Sequence, residues 1–160
     1  MVPERRLVTL MPTAERAPVA WRYTEQKPAA DWFKTGFDAS AWKQGDAPFG
    51  VEEPAFSRHP RTAWKSADIW LLRVCDWNGG ALDEGALNLY HDDDAEVFID
   101  GVQVAKAAGY TACYERCCFQ PEDKVLLSPG RHAVAVHIRQ TKGGQYFDLG
   151  IDGVLSRREK

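Results

Sequence analysis

Apolar and polar positions alternate with a period of two through most of the middle of the chain, the mark of half-buried strands. Residues 69–74 put Trp70, Leu72 and Val74 on one face and Ile69, Leu71 and Arg73 on the other. Residues 87–91 predict a second strand. Residues 95–99 follow, with Ala95, Val97 and Ile99 inward, Glu96 outward and Phe98 covering the outer face. That strand runs into Asp100-Gly101, a pair suited to a two-residue hairpin because both positions tolerate positive φ. Residues 102–105 make the return strand. Residues 132–139 predict another strand with Val134, Val136 and Ile138 inward. The last covers 146–151, with Phe147, Leu149 and Ile151 on one face, and Asp152-Gly153 predicts a turn after it. Residues 7–10 predict a first edge strand.

No stretch of ten residues holds a helical period. Residues 31–33 and 40–42 read as single helical turns, the second capped by Asp38 or Ser40. Thirteen Gly and nine Pro supply the turns between short strands. This pattern is that of an all-β antiparallel sandwich. Its expected span is 20–153, after a lead-in over 1–19 and before a polar tail over 154–160 that frays.

Composition narrows the class. One domain is expected of 160 residues. Six Trp, seven Phe and five Tyr argue against disorder. No apolar run reaches the length of a membrane-spanning helix. Lys and Arg total 20 against 23 Asp and Glu, with no basic stripe, so nucleic acid is not an expected partner. Arg5 and Arg6 precede only a short apolar stretch, Leu7 to Met11, which falls short of an export leader. Cys113 and Cys117 lack the second ligand pair of a zinc site. Cys75 either bridges to one of Cys113, Cys117 and Cys118, or all four are plain thiols.

Trp21-Arg-Tyr, Trp32-Phe, Phe37-Asp-Ala-Ser-Ala-Trp42-Lys and Ala47-Pro-Phe-Gly50 resemble the opening of a galactose-binding-like jelly roll. His91-Asp-Asp-Asp-Ala-Glu-Val-Phe-Ile-Asp-Gly101 is similar to that family's strand ending in an Asn-Gly or Asp-Gly turn. Gly109-Tyr110 and Pro129-Gly-Arg-His-Ala-Val-Ala-Val136 continue it in order. The resemblance covers roughly 21–151. It implies a jelly-roll accessory domain like those of bacterial glycoside hydrolases such as beta-galactosidases, in an extracellular or periplasmic setting. It further implies carbohydrate as ligand and a catalytic domain or chain as partner. Some members bind calcium. No hydrolytic domain is recognisable beside it, so catalysis by this chain is not expected.

Candidate ligand contacts divide into rings and polar groups. Trp64, Trp77 and Tyr110 lie beside turns, where an exposed ring can stack on a sugar face. Trp21, Trp42 and Trp70 lie in fold-defining segments and are expected in the core. Asp92, Asp93 and Asp94 stand in a row and repel one another. Calcium (Ca2+) would relieve that repulsion, and so would an arginine or a hydrogen-bonding loop. Alternation sends Asp92 and Asp94 one way and Asp93 the other. His91 either pairs with these acids or meets a sugar hydroxyl. Arg139 and Gln140 either join it as ligand contacts, with His137 on the same face, or Arg139 pairs with the acidic run. Asp92, Asp94, Glu96 and Asp148 are the carboxylates a hydrolase would need as a facing pair.

Overall fold

The computed structural model describes residues 4–120, 122–123 and 128–156. The end of the expected tail, 157–160, lies outside them. In chain order the strands are β1 (Arg5–Met11), β2 (Val19–Thr24), β3 (Lys43–Ala47), β4 (Phe49–Gly50), β5 (Thr62–Ala63) and β6 (Asp68–Trp77). They continue with β7 (Glu84–Asp92), β8 (Asp94–Ile99), β9 (Val102–Ala107), β10 (Glu115–Cys118), β11 (Gly130–Arg139) and β12 (Tyr146–Ser156). One short helical turn, Pro54–Phe56, sits between β4 and β5. The strands form two sheets, β10-β7-β12-β4-β5 with β1 on β12, and β3-β2-β6-β11-β8-β9. Pairing is antiparallel except between β4 and β5. The fold is a β-sandwich.

The core between the sheets follows the alternation. Ile69 and Leu71 of β6, Val97 of β8 and Val134, Val136 and Ile138 of β11 face Leu87 and Leu89 of β7 and Phe147 and Leu149 of β12. Burying such a side chain contributes roughly 1.5–3 kcal/mol. Trp21 meets Phe147 edge-on in this layer. The opposite face of β6 is also covered. Residues 29–42 make four hydrogen-bonded turns, with Trp32 N donating to Ala29 O, Lys34 N to Asp31 O, Phe37 N to Lys34 O and Trp42 N to Ala39 O. Asp38 caps the last by accepting from Ser40 N. These turns bring Trp32, Phe33, Phe37 and Trp42 against Trp70, Leu72 and Phe98.

At Asp100-Gly101 both residues have positive φ, 50° and 80°. The Asp100 carboxylate also accepts from Ala133 N at 2.8 Å and meets His132 Nδ1 at 2.6 Å, tying the hairpin to β11. Burial pulls the His132 pKa down, but bonding to Asp100 and Ser128 O outweighs it and the net shift is upward.

Several expectations do not hold. Asp152-Gly153 makes no turn: β12 continues through it, pairing with Ala86 and Gly85 of β7 and with β1. Gly153 is kept small by Leu82, whose side chain would stand 2.6 Å from an added Cβ. Trp64 is not an exposed ring but 0% exposed, in the core with Phe49 and Tyr23. Its Nε1 and that of Trp21 have no hydrogen-bond partner among the described residues. Arg139 does not pair with the acidic run; its Nε lies 3.6 Å from Asp68. The four cysteines are free thiols, so the bridged alternative does not form. The first edge strand expected over 7–10 is β1, whereas residues 154–156, placed by the sequence in the polar tail, continue β12.

Candidate functional site

The acidic run is the corner where the chain leaves one sheet for the other. β7 ends at Asp92 and β8 begins at Asp94, so three carboxylates are carried across a single step. Each meets a different set of donors. Asp92 Oδ2 accepts from Arg58 Nη1 at 2.7 Å. Asp93 Oδ2 accepts from Thr141 N and Oγ1, both at 2.7 Å, and from Lys142 N at 3.0 Å. Asp94 Oδ1 accepts from Gly109 N at 2.7 Å. Asp92 and Asp94 thus face the 109–111 side and Asp93 the 141–142 side, as alternation predicts.

Arg58 organises the corner. It is 3% exposed and spends every nitrogen. Beyond Asp92, Nη1 donates to Glu53 Oε1 at 2.9 Å, Nε to Tyr90 Oη at 3.2 Å and Nη2 to Thr111 O at 2.9 Å. Its guanidinium carbon lies 5.3 Å from the Tyr90 ring and 5.6 Å from those of Tyr146 and Phe56. Burial opposes the Arg58 charge, but bonds to Tyr90, Asp92 and Glu53 outweigh it, and its pKa rises. Burial pushes the Asp92 carboxyl up to about 6, and its bonds to Arg58 pull it only part of the way back. Asp93 goes the other way, to about 2: burial raises it, but the Thr141 and Lys142 donors more than reverse that.

The corner leaves little for a ligand. His91 is buried, with Nδ1 on Asp93 O. Thr111 closes over it, donating its N–H to His91 O and accepting from His91 N. The donors around the carboxylates are a guanidinium, backbone N–H groups and the Thr141 hydroxyl, which present their hydrogens where a cation would sit. The set does not fit calcium, and among the described residues no three His, Cys, Asp or Glu are placed to hold a metal. Gly144 presses on the same cluster: an added Cβ would stand 1.9 Å from Glu53 Oε1.

The remaining predicted contacts scatter. Arg139 and Gln140 share the corner's end of the sandwich, since Arg139 pairs with Asp94 across the sheet. Gln140 donates to Gly143 O, and His137 stacks on Trp70 while meeting Asp68 at 2.8 Å. Trp77 ends β6 at the far end, about 30 Å away for a ten-residue strand. It is half-buried among Val8, Leu82 and Phe119, with Nε1 donating to Gly80 O. Only Tyr110 of the three expected rings is exposed, at 68%. Asp148 is fully buried, accepting from Ala14 N, Leu149 N and Tyr114 Oη. Burial raises the Asp148 pKa, opposed in part by these donors.

A second region carries chemistry that no sequence motif marked. The outer face of the β2-β6-β11 sheet and the 34–39 segment enclose a groove of about 560 Å³. Arg22, Lys34, Arg73 and Arg131 line it, and among the described residues no Asp or Glu does. Arg58 was equally invisible in the sequence, since Ser57-Arg-His-Pro60 is an ordinary polar loop. Arg22 could have been noticed, because β2 alternates Val19, Trp21 and Tyr23 inward.

No family model matches the sequence, and no curated protein matches it. Solved structures do. A Bacteroides uniformis beta-glucuronidase superposes with a TM-score of 0.62 at 17% identity, over 94% of this chain and 18% of that one. A glycosyl hydrolase family 2 member from Bacteroides cellulosilyticus gives 0.59 at 14% identity, over 91% and 20%. An uncultured Clostridium sp. beta-glucuronidase gives 0.56 at 9%, over 96% and 30%. At these identities the likeness is one of fold. This chain is a sandwich similar to one part of those enzymes, and it spans less than a third of their length.

Proposed function

We propose that the chain is a non-catalytic accessory module of a carbohydrate-active enzyme, with a jelly-roll fold of the galactose-binding type. The observation that carries this is the superposition of nearly the whole chain on a fifth of several glycoside hydrolases. The carboxylates add support. A general acid or base must reach the proton it moves. Asp92 and Asp148 are instead buried beneath protein donors. The module's partner is a catalytic domain, and its ligand is carbohydrate.

The experiment joins two assays on the purified chain, hydrolysis of aryl beta-glucuronides and beta-galactosides, and retention on a glycan array. The expected result is no turnover and retention of a defined glycan class. Turnover that disappears in Asp92→Asn or Asp148→Asn overturns the reading. A supporting role without sugar binding is the second reading. It is favoured by the internal partners of His91, Asp92 and Asp93, and an array with no retained glycan selects it.

A further inference from the structure

Among the described residues some Lys and Arg meet a carboxylate, and others, such as Arg6, Lys27, Lys65 and Lys106, meet none. Arg5 meets Glu84, Lys43 Glu25, Arg58 Asp92 and Glu53, Arg116 Asp152, and Arg139 Asp68. The groove on the β2-β6-β11 face gathers four cations, Arg22, Lys34, Arg73 and Arg131, in one concavity. Arg22 donates only to a carbonyl, Trp42 O, and Arg73 only to Ala20 O. Lys34 has no side-chain partner among the described residues. Arg131 alone meets a carboxylate, Asp76 at 3.2 Å, and both groups are largely exposed. Three cations in one concavity thus lack a counter-charge among the described residues, in a chain whose net charge is -3. Arg73 is also half-buried, and burial lowers its pKa.

The rest of the groove is apolar. Leu72 and Val74 project from β6 onto its floor, and Val74 is 50% exposed although it sits mid-strand. Phe37, packed on Trp42 at 5.6 Å between ring centroids, stands in the wall. A stiff ring beside aliphatic carbon offers a surface for the C–H face of a pyranose. The volume falls within the range of small-molecule sites, roughly 300–1,000 Å³. Guanidinium groups suit planar carboxylates and sulfates through paired donors.

We infer that this groove binds an acidic saccharide, with Arg22, Lys34 and Arg73 receiving its carboxylate or sulfate group and Leu72, Val74 and Phe37 receiving its ring. The choice of a saccharide rests on the accessory-module reading. The choice of an anion rests on the unpaired cations alone. Carboxylated and sulfated sugars share the chemistry, so the test separates them.

The test is calorimetric titration of the whole chain with four probes, a galacturonate trisaccharide, a sulfated galactose trisaccharide, its neutral counterpart and inorganic sulfate. One of the acidic saccharides is expected to bind at least tenfold more tightly than the neutral sugar and than sulfate. Lys34→Glu, at an exposed loop position, is expected to weaken that binding tenfold or more with no change in melting. Arg22→Ala is expected to weaken it severalfold. Amide shifts on titrating the unaltered chain should cluster at residues 34–37, 72–74 and 131, which tests the site without any variant. Equal binding of the neutral sugar, equal binding of sulfate, or full affinity in Lys34→Glu each overturns the inference. Tighter binding of a hexaglutamate peptide overturns it in favour of an acidic protein partner. If no acidic sugar binds, the groove assignment falls while the accessory reading stands. Turnover by the chain removes the accessory reading and leaves anion binding intact.

Discussion

The corner at Asp92-Asp93-Asp94 and the groove beneath Lys34 are both concentrations of like charge, and the fold treats them differently. At the corner three adjacent carboxylates meet Arg58, the Thr141-Lys142 backbone and Gly109 N. In the groove three of four cations meet only carbonyl oxygen or nothing among the described residues. The corner is buried, and a buried charge without a partner costs several kcal/mol. The groove is open, and water screens its cations until a ligand displaces it. A charge cluster satisfied from within serves the fold, whereas one left to solvent is free to serve binding.

The largest expected effect separates the two by stability. Arg58→Ala strands Asp92 and Glu53, and is expected to cost about 3–5 kcal/mol in urea denaturation. A loss below about 1 kcal/mol would make the corner no more structural than an exposed ion pair. Next is Asp93→Asn, which weakens three charge-assisted bonds to the 141–142 turn and is expected to cost about 2 kcal/mol.

That variant also changes the pH profile. The folded Asp93 pKa, about 2, lies below its ordinary 3.8, so its contribution is present above pH 3.8 and lost as pH falls toward 2. Asp92, raised to about 6, acts oppositely: the folded state holds its proton more tightly, and stability declines as pH rises from 3.8 toward 6. Denaturation midpoints measured across this range should lose their acid-side fall in Asp93→Asn and their decline toward pH 6 in Asp92→Asn. Profiles parallel to the unaltered protein would show that neither carboxyl is tuned by the corner.

Gly144→Ala should cost about 1–3 kcal/mol, because the added carbon meets the Glu53 carboxylate where Glu53 holds Arg58. Gly143→Ala adds no contact, only strain at φ 78°, and is the internal comparison. The smallest effects belong to the groove and to calcium. Lys34→Ala should leave stability within about 0.5 kcal/mol. Chelation should leave the melting temperature within about 1 °C, since a ligand raises stability only if the folded state holds it. A clear drop on chelation would mean the carboxylates do more than bind protein donors.

Much of the fold was legible because alternation is local. The inward faces of residues 95–99, 132–139 and 146–151 were read correctly, and so was the Asp100-Gly101 turn. The same locality caused the failures. Asp152-Gly153 resembles a turn, yet the pairing of β12 with β7 and β1 holds it extended. Trp64 stands beside turn residues, yet β4 and β5 carry its ring inward. The acidic run was rightly singled out as polar and repelling, but its partner Arg58 lies 34 positions away, in a loop without pattern.

By itself the sequence determined seven of the twelve strands, the inward faces of three of them, one tight turn and the sandwich class, because each depends on neighbours one or two residues apart. Only the tertiary structure decided which charges are satisfied. Whether a carboxylate finds Arg58 or a cation is left in an open groove depends on which strands and loops meet. Those meetings are set by the packing of the two sheets, between segments that share no local pattern.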